Sequence, residues 1–175
     1  MTADSVAQDL CLHCGLCCDG TLFKDVELQA GDNAPALAAL GLPLKHLKTK
    51  VRFPQPCAAL CTDLRCRIYA GRPARCHEFE CALFKAVADG RIKTAPALKL
   101  ISATRQRAEK VRHLLRALGD HHEHVALSIR FRRMARRMQS TRVDEETADT
   151  YGLLTLAVHD LNLVLSAKFY PGDGR

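Results

Sequence analysis

The second half of the chain carries apolar residues at helical spacing. Between Pro96 and Leu118, aliphatic side chains recur along one stripe at steps of three, four or seven positions, and Gly119 follows. Positions with this spacing fall on one face at 3.6 residues per turn, so the pattern predicts a long amphipathic helix ended by the glycine. Similar patterns predict two further helices over about 122–139 and 144–169.

The first half shows shorter and weaker patterns. Partial alternation over 21–28 and the stretch 51–53 predict two short strands. Between them, Asp-Asn-Ala-Pro predicts the start of a short helix that ends at Gly41. A further helix is predicted from Pro73 through Ala88, because proline is favoured in the first turn of a helix.

Cysteine is the residue that changes this picture. All nine cysteines lie between Cys11 and Cys81. The first residues lack the basic and apolar regions of a secretory signal, and no apolar run reaches the roughly 20 residues of a membrane span, so we expect a cytoplasmic protein without a membrane segment. Thiols stay reduced in the cytoplasm and an odd number cannot all pair, so a disulfide framework is not expected.

The densest cysteine motif is Cys11-Leu12-His13-Cys14-Gly15-Leu16-Cys17-Cys18. Cysteines three positions apart can point at one metal when the backbone between them turns tightly, and Gly15 permits such a turn. The Cys-x-x-Cys spacing is typical of zinc sites, and the longer Cys-x-x-Cys-x-x-Cys spacing also occurs in iron–sulfur proteins. Adjacent Cys17 and Cys18 must point apart. Either they serve two metal centres, or one of them ligates while the other packs.

The remaining cysteines lie downstream, at Cys57, Cys61, Cys66, Cys76 and Cys81. Together with the first motif, the order Cys57, then Cys66-x-Ile68-Tyr69-x-x-Arg72-Pro73-x-x-Cys76-x-x-Phe79 resembles the CxxCxxCC family of zinc- or iron-chelating proteins. These are the YkgJ-type cysteine-cluster proteins. The resemblance covers roughly residues 11–85, and it lies in the order and spacing of the cysteines and in the Ile-Tyr…Arg-Pro element.

The resemblance implies metal chelation by thiolates and leaves the metal open between zinc and iron, including a 4Fe-4S cluster. The ligands that it implies are Cys11, Cys14, Cys17, Cys18, Cys57, Cys66 and Cys76. We expect Cys81 to be the eighth ligand in preference to Cys61. On an unbroken helix Cys81 would lie about 140° from Cys76, so it would serve a different centre unless the helix began late. Tyr69, Arg72 and Arg75 are expected to contact the centre from outside the ligand set, the arginines through N–H donors and positive charge.

These patterns together predict a mainly α fold with a few short strands. A cysteine-rich region over residues 1–92, nucleated by metal, would pack on a C-terminal three-helix bundle over residues 93–175. The two regions are expected to form one compact unit.

The net charge of +7 is a weak argument for nucleic-acid binding. Eight metal-bound thiolates with two divalent zinc ions would lower that charge by four. The arginine-rich stretch 130–142 could meet phosphates, but a solvated helix face is the commoner explanation. We therefore expect any partner to be a protein bound through the C-terminal helices, and nucleic acid is not favoured.

The sequence leaves three functions open. The first is metal binding by thiolate-coordinated centres in residues 11–81, structural if the metal is zinc. The second is an iron–sulfur redox or modification enzyme. The same cysteine region resembles part of the flagellin lysine methylases, but no Gly-x-Gly-x-x-Gly follows a strand, so that activity is not transferred. The third is a basic nucleic-acid- or protein-binding module with structural zinc. Without a recognisable substrate-binding motif, enzymatic activity stays undecided.

Overall fold

The computed structural model describes residues 10–170. This part begins with a helical turn over 10–14, α1. The strand β1 (Asp25–Glu27) and the helix α2 (Ala34–Ala39) follow. β2 (Lys45–His46) and β3 (Val51–Pro54) complete a small antiparallel sheet in the order β1-β3-β2.

The rest of the described chain is helical. A 3-10 turn (Tyr69–Gly71) precedes the helices α3 (Ala74–Glu78), α4 (Ala82–Ala88), α5 (Thr94–Ala117), α6 (Leu127–Ser140) and α7 (Glu145–Lys168). The predicted mainly α fold with a few short strands is confirmed. Among these helices of residues 10–170, none is both long enough and apolar enough to cross a bilayer.

The prediction of one continuous helix from 73 to 88 is wrong, because the segment forms two helices, α3 and α4, with a break between them. Phe79 and Cys81, between the two helices, have extended backbone with ψ of 114° and 163°. The Phe79 ring packs edge to face on Phe23, with ring centroids 4.9 Å apart. This contact between distant segments accompanies the change of direction before Cys81.

The start of α6 also differs from the prediction, at Leu127 rather than at about 122. The backbone N–H of His122 donates to the Asp120 carboxylate at 2.9 Å, which holds a turn before the helix. Arg130 is buried and donates to the same carboxylate at 3.1 Å. This buried ion pair keeps residues 120–126 outside the helix and removes Arg130 from the basic surface.

Two hydrophobic cores organise the molecule. The larger core joins α4, α5, α6 and α7 to Leu10, Leu16 and Leu22 of the cysteine-rich region, and α5 packs against both α6 and α7. The smaller core lies beside the sheet and consists of Leu37, Leu42, Phe53, Ala59 and Ile68. The cysteine-rich region therefore meets the C-terminal helices through the larger core and holds the smaller one by itself.

Candidate metal centres

The CxxCxxCC motif is folded around one tight turn. α1 ends at Cys14, and Gly15 follows with a φ of +69°, a conformation that glycine adopts without strain. The Gly15 carbonyl accepts the N–H groups of Cys18 and Asp19, both at 2.9 Å. The turn at Gly15 that the sequence predicted is present, and it brings Cys17 back towards Cys14.

Four thiols lie within electrostatic reach of one another at the edge of the larger core, and we call them the first thiol group: Cys11, Cys14, Cys17 and Cys81. A thiolate at Cys17 would be repelled by those of Cys14, Cys81 and Cys11, and also by that of its chain neighbour Cys18. Cys14 is likewise repelled by Cys81 and Cys11, and Cys11 by Cys81. Cys14, Cys17 and Cys81 also pack against the larger core.

Four other thiols lie within electrostatic reach of one another beside the smaller core, and we call them the second thiol group: Cys18, Cys57, Cys66 and Cys76. A thiolate at Cys18 would be repelled by Cys57, Cys76 and Cys66. Cys57, Cys66 and Cys76 all pack against the smaller core. The Cys57 N–H donates to the Cys18 carbonyl at 2.7 Å, which ties the motif to the loop after β3.

Packing on the two cores divides six of these thiols into three and three, and electrostatic contacts add Cys11 to the first group and Cys18 to the second. The repulsion between the chain neighbours Cys17 and Cys18 is the contact that crosses this division. Cys17 and Cys18 are adjacent in sequence but fall into different groups. This separation of Cys17 from Cys18 is what the first of the two arrangements allowed by the sequence would require. The break between α3 and α4 separates another pair of cysteines in the same way. Cys76, on α3, lies in the second group, and Cys81, at the start of α4, lies in the first.

The pKa values show that these thiols are poorly suited to carrying charge alone. Burial is the largest cause and raises the pKa to about 11 for Cys11 and Cys76 and to about 12 for Cys14. The pKa is also raised, again first by burial, for Cys17, Cys18, Cys57 and Cys81. Neighbouring thiolates add to the rise for all of these except Cys81. A divalent cation among them would reverse the balance and favour the thiolate form.

Backbone N–H groups already point at several of the sulfur atoms. The Phe84 N–H donates to Cys81 Sγ at 3.3 Å, where Cys81 caps α4. The N–H of Leu16 donates to the Cys14 thiol and lowers its pKa against the effect of burial. Such hydrogen bonds stabilise thiolates, so they favour negative charge on Cys14 and Cys81 of the first thiol group.

The thiols of each group are neighbours and do not form a closed coordination shell. Within residues 10–170, no three or more His, Cys, Asp or Glu side chains converge as a set ready to hold a metal ion. The donor chemistry fits nonetheless, because four sulfur ligands are the set that zinc and iron take in tetrahedral sites.

Comparison with known families agrees with this reading. A family model described as "CxxCxxCC: Putative zinc- or iron-chelating domain" matches residues 10–110. The chain belongs to the CxxCxxCC family. No curated protein and no solved structure matches the chain. The family match confirms the predicted resemblance and includes both thiol groups, whereas α6 and α7 lie beyond it.

Arg72 of the CxxCxxCC domain lies within electrostatic reach of both thiol groups. Its positive charge lowers the pKa of Cys11 in the first group and of Cys76 in the second, against the larger effect of burial. The guanidinium lies over the Tyr69 ring, 3.7 Å from the ring centroid, and one nitrogen is 3.3 Å from His77 Nδ1. Arg72 Nε is buried and has no hydrogen-bond acceptor among residues 10–170. This free donor is suited to a metal-bound thiolate.

Three other residues singled out from the sequence of the CxxCxxCC domain lie outside the thiol groups. Tyr69 is half-buried and supports the Arg72 guanidinium through its ring. Arg75 is exposed, and its side chain makes no hydrogen bond or ion pair with the described part of the chain. Cys61 belongs to neither group, and its N–H closes a surface loop by donating to the Arg65 carbonyl at 2.8 Å.

Sequence reasoning missed Tyr170, at the end of α7. Its pKa is raised by burial and by the nearby Cys17 thiol, and its hydroxyl donates to the Leu22 carbonyl at 3.1 Å. The preceding Phe169 carbonyl accepts the Ala82 N–H at 3.2 Å, next to Cys81. The end of α7 therefore covers the first thiol group, and no local sequence signal could reveal a contact between such distant residues.

Sequence reasoning also missed Asp32, which positions a cysteine of the second thiol group. One carboxylate oxygen accepts the Ala74 N–H at 2.9 Å, at the start of α3, and the other accepts the Gln29 N–H at 2.7 Å. Asp32 thereby ties the loop after β1 to the short helix that carries Cys76. The sequence pattern predicted this residue only as part of the cap of α2.

Proposed function

We propose that the chain binds two metal ions, one in each thiol group, and that the metal is zinc in a structural role. The observation that carries the proposal is the division of eight thiols, seven of them half-buried and Cys11 exposed, into four and four. A closed zinc site takes four protein ligands, so each group supplies a full set without solvent or substrate. The first ion would be held by Cys11, Cys14, Cys17 and Cys81, and the second by Cys18, Cys57, Cys66 and Cys76.

The small size of the second core supports a structural role. The strands beside it are two to four residues long, and the core has five buried hydrophobic residues in the described part of the chain. A core of that size supplies little net stability by itself. Structural zinc contributes roughly 10–16 kcal/mol of binding free energy in zinc-finger peptides, and that binding is coupled to folding. A zinc ion in the second thiol group would therefore hold this part of the chain together.

The charges on α6 support metal binding over nucleic-acid binding as the main function. Arg130 is buried against Asp120, and Arg137 donates to the Leu118 carbonyl at the end of α5. Arg130 is thus removed from the surface of the basic stretch, whereas Arg137 stays exposed. The arginines that remain exposed on this helix form a smaller basic surface than the sequence alone indicates.

The test is the metal content of untagged protein purified without oxygen. Elemental analysis together with an absorbance spectrum should give two zinc ions per chain in a colourless protein. Brown protein with iron and acid-labile sulfide would refute zinc and place an iron–sulfur centre in the thiol groups. One metal per chain would contradict the division into four and four. A folded protein without metal would refute the proposed function altogether.

A further inference from the structure

The helix α7 is apolar around more of its circumference than the fold uses. Its buried side contributes Leu154, Ala157, Leu161 and Leu165 to the larger core. On another side, Leu153, Leu156 and Leu163 are 54%, 67% and 57% exposed. A helix that is hydrophobic all round is normally buried all round. The exposed leucines therefore indicate a surface that another helix covers.

The exposed leucines belong to a regular row on α7. We call this row the outer seam: Asp149, Leu153, Leu156, Asp160, Leu163 and Ala167. All six residues are exposed, and the steps between them alternate between four and three. This is the spacing of the a and d positions of a coiled coil, where a second helix packs along the row.

The outer seam is symmetric along its length. The spacings between its residues are four, three, four, three and four, which is the same order from either end. A second copy of α7 in antiparallel orientation therefore places its seam residues opposite those of the first copy. Leu153 would then face Leu163 of the second copy, and Leu156 would face its Asp160. Asp160 forms an ion pair with Arg107 of α5 at 2.9 Å, so the negative charge that it places in the seam is offset by this arginine.

Charges at the two ends of α7 favour the same arrangement. The first turns carry four exposed carboxylates, Asp144, Glu145, Glu146 and Asp149, and the last turn carries Lys168. Within residues 10–170, none of these five side chains forms an ion pair. In an antiparallel pair, Lys168 of one copy lies beside the acidic start of the other, and the two helix dipoles oppose each other favourably.

We propose that α7 forms the interface of an antiparallel homodimer, in which the outer seam packs against the same seam of a second copy of the chain. The interface is isologous, because one patch meets itself across a two-fold axis. It lies beyond the part of the chain matched by the metal-chelating family. It also uses no cysteine, so it does not depend on which metal the thiol groups hold.

The first test is the mass of the full chain in solution, measured by sedimentation velocity across a range of concentrations. We expect a dimer for the metal-loaded protein. The double variant Leu153→Glu/Leu156→Glu should raise the dimer dissociation constant at least roughly 100-fold, because it places carboxylates in the apolar part of the seam. Leu47→Glu is the matched control, because Leu47 is 57% exposed on the sheet side of the chain, and this variant should remain dimeric.

Circular dichroism and metal content should be unchanged in the double variant, which separates lost dimerisation from lost folding or lost metal. A monomer at every concentration, or a dimer that the double variant leaves intact, would overturn the proposal.

A second test determines the orientation of the two helices. A photo-crosslinking amino acid at position 153, in a mixture of isotopically light and heavy chains, should crosslink to the region around Leu163 of the other copy. Crosslinks between the two 153 regions would show a parallel pair and overturn the antiparallel assignment. As an independent check, Lys168→Glu should weaken the dimer, and adding Glu145→Lys in the same chain should restore it.

Discussion

Each thiol group can be broken separately with one substitution. Cys81→Ser removes a ligand from the first group, and Cys76→Ser removes one from the second. Serine has nearly the shape of cysteine but is a poor zinc ligand, so the change removes coordination while it leaves packing almost intact. We expect each variant to retain one zinc ion per chain.

The size of the effect follows from linkage between metal binding and folding. A ligand present at about 1,000 times its dissociation constant stabilises the native state by about 4 kcal/mol. In a chain of this length, each kcal/mol corresponds to roughly 2–4 °C of melting temperature. Losing one zinc ion under such conditions should therefore lower the melting temperature by roughly 8–16 °C.

The two variants should lose stability in different places. The first thiol group packs on the larger core, so Cys81→Ser should raise hydrogen exchange in α4 and at the end of α7. The second group packs on the smaller core, so Cys76→Ser should raise exchange in the β1-β3-β2 sheet and in α2. Hydrogen exchange followed by mass spectrometry resolves these segments, and elemental analysis counts the zinc.

Cys61→Ser is the control, because Cys61 lies in neither thiol group. It should keep both metals and the parent melting temperature. The division of the thiols would be refuted if Cys61→Ser lost a metal. It would also be refuted if Cys81→Ser and Cys76→Ser loosened the same segment of the chain.

Three further substitutions test other parts of the structure. Arg72→Gln should speed the transfer of both zinc ions to a chelator by about tenfold, because mutating residues that hydrogen-bond metal ligands typically lowers metal affinity 10–100-fold. Arg75→Gln is the control and should match the parent rate. Asp120→Ala leaves the buried Arg130 without its carboxylate and should lower the free energy of unfolding by about 3 kcal/mol in urea, and an unchanged value would show that the ion pair contributes nothing. Gly15→Ala must adopt a φ of +69° with its Cβ 3.3 Å from Leu64, so thermal unfolding should begin several degrees lower, and an equal melting temperature would contradict the strain argument.

Local patterns were enough to find the long helices. The observed bounds of α5 (Thr94–Ala117) and α7 (Glu145–Lys168) lie close to the predicted ones. Asp144 caps α7 by accepting the Thr147 N–H at 2.8 Å, as a cap residue in this position should. These features depend on residues within a few positions of one another, so their signals are present in the sequence itself.

Contacts between distant segments explain where the predictions failed. The break before Cys81 goes with the packing of Phe79 on Phe23, and the late start of α6 goes with the burial of Arg130 on Asp120. Both are tertiary interactions that override a helical pattern. The short strand β2 was also missed, since two residues carry no alternation to detect.

The sequence by itself determined the chemistry of this protein. Its cysteines follow the order of a zinc- or iron-chelating family, and thiolates are ligands that suit a soft or borderline metal. Only the tertiary structure decided how eight of these cysteines divide. Cys81 joins Cys11 and Cys14 because the chain turns between α3 and α4, and Cys18 joins Cys57 because a backbone hydrogen bond links their segments. Which thiols belong to the same group depends on distances between segments, and the packing of the two cores sets those distances.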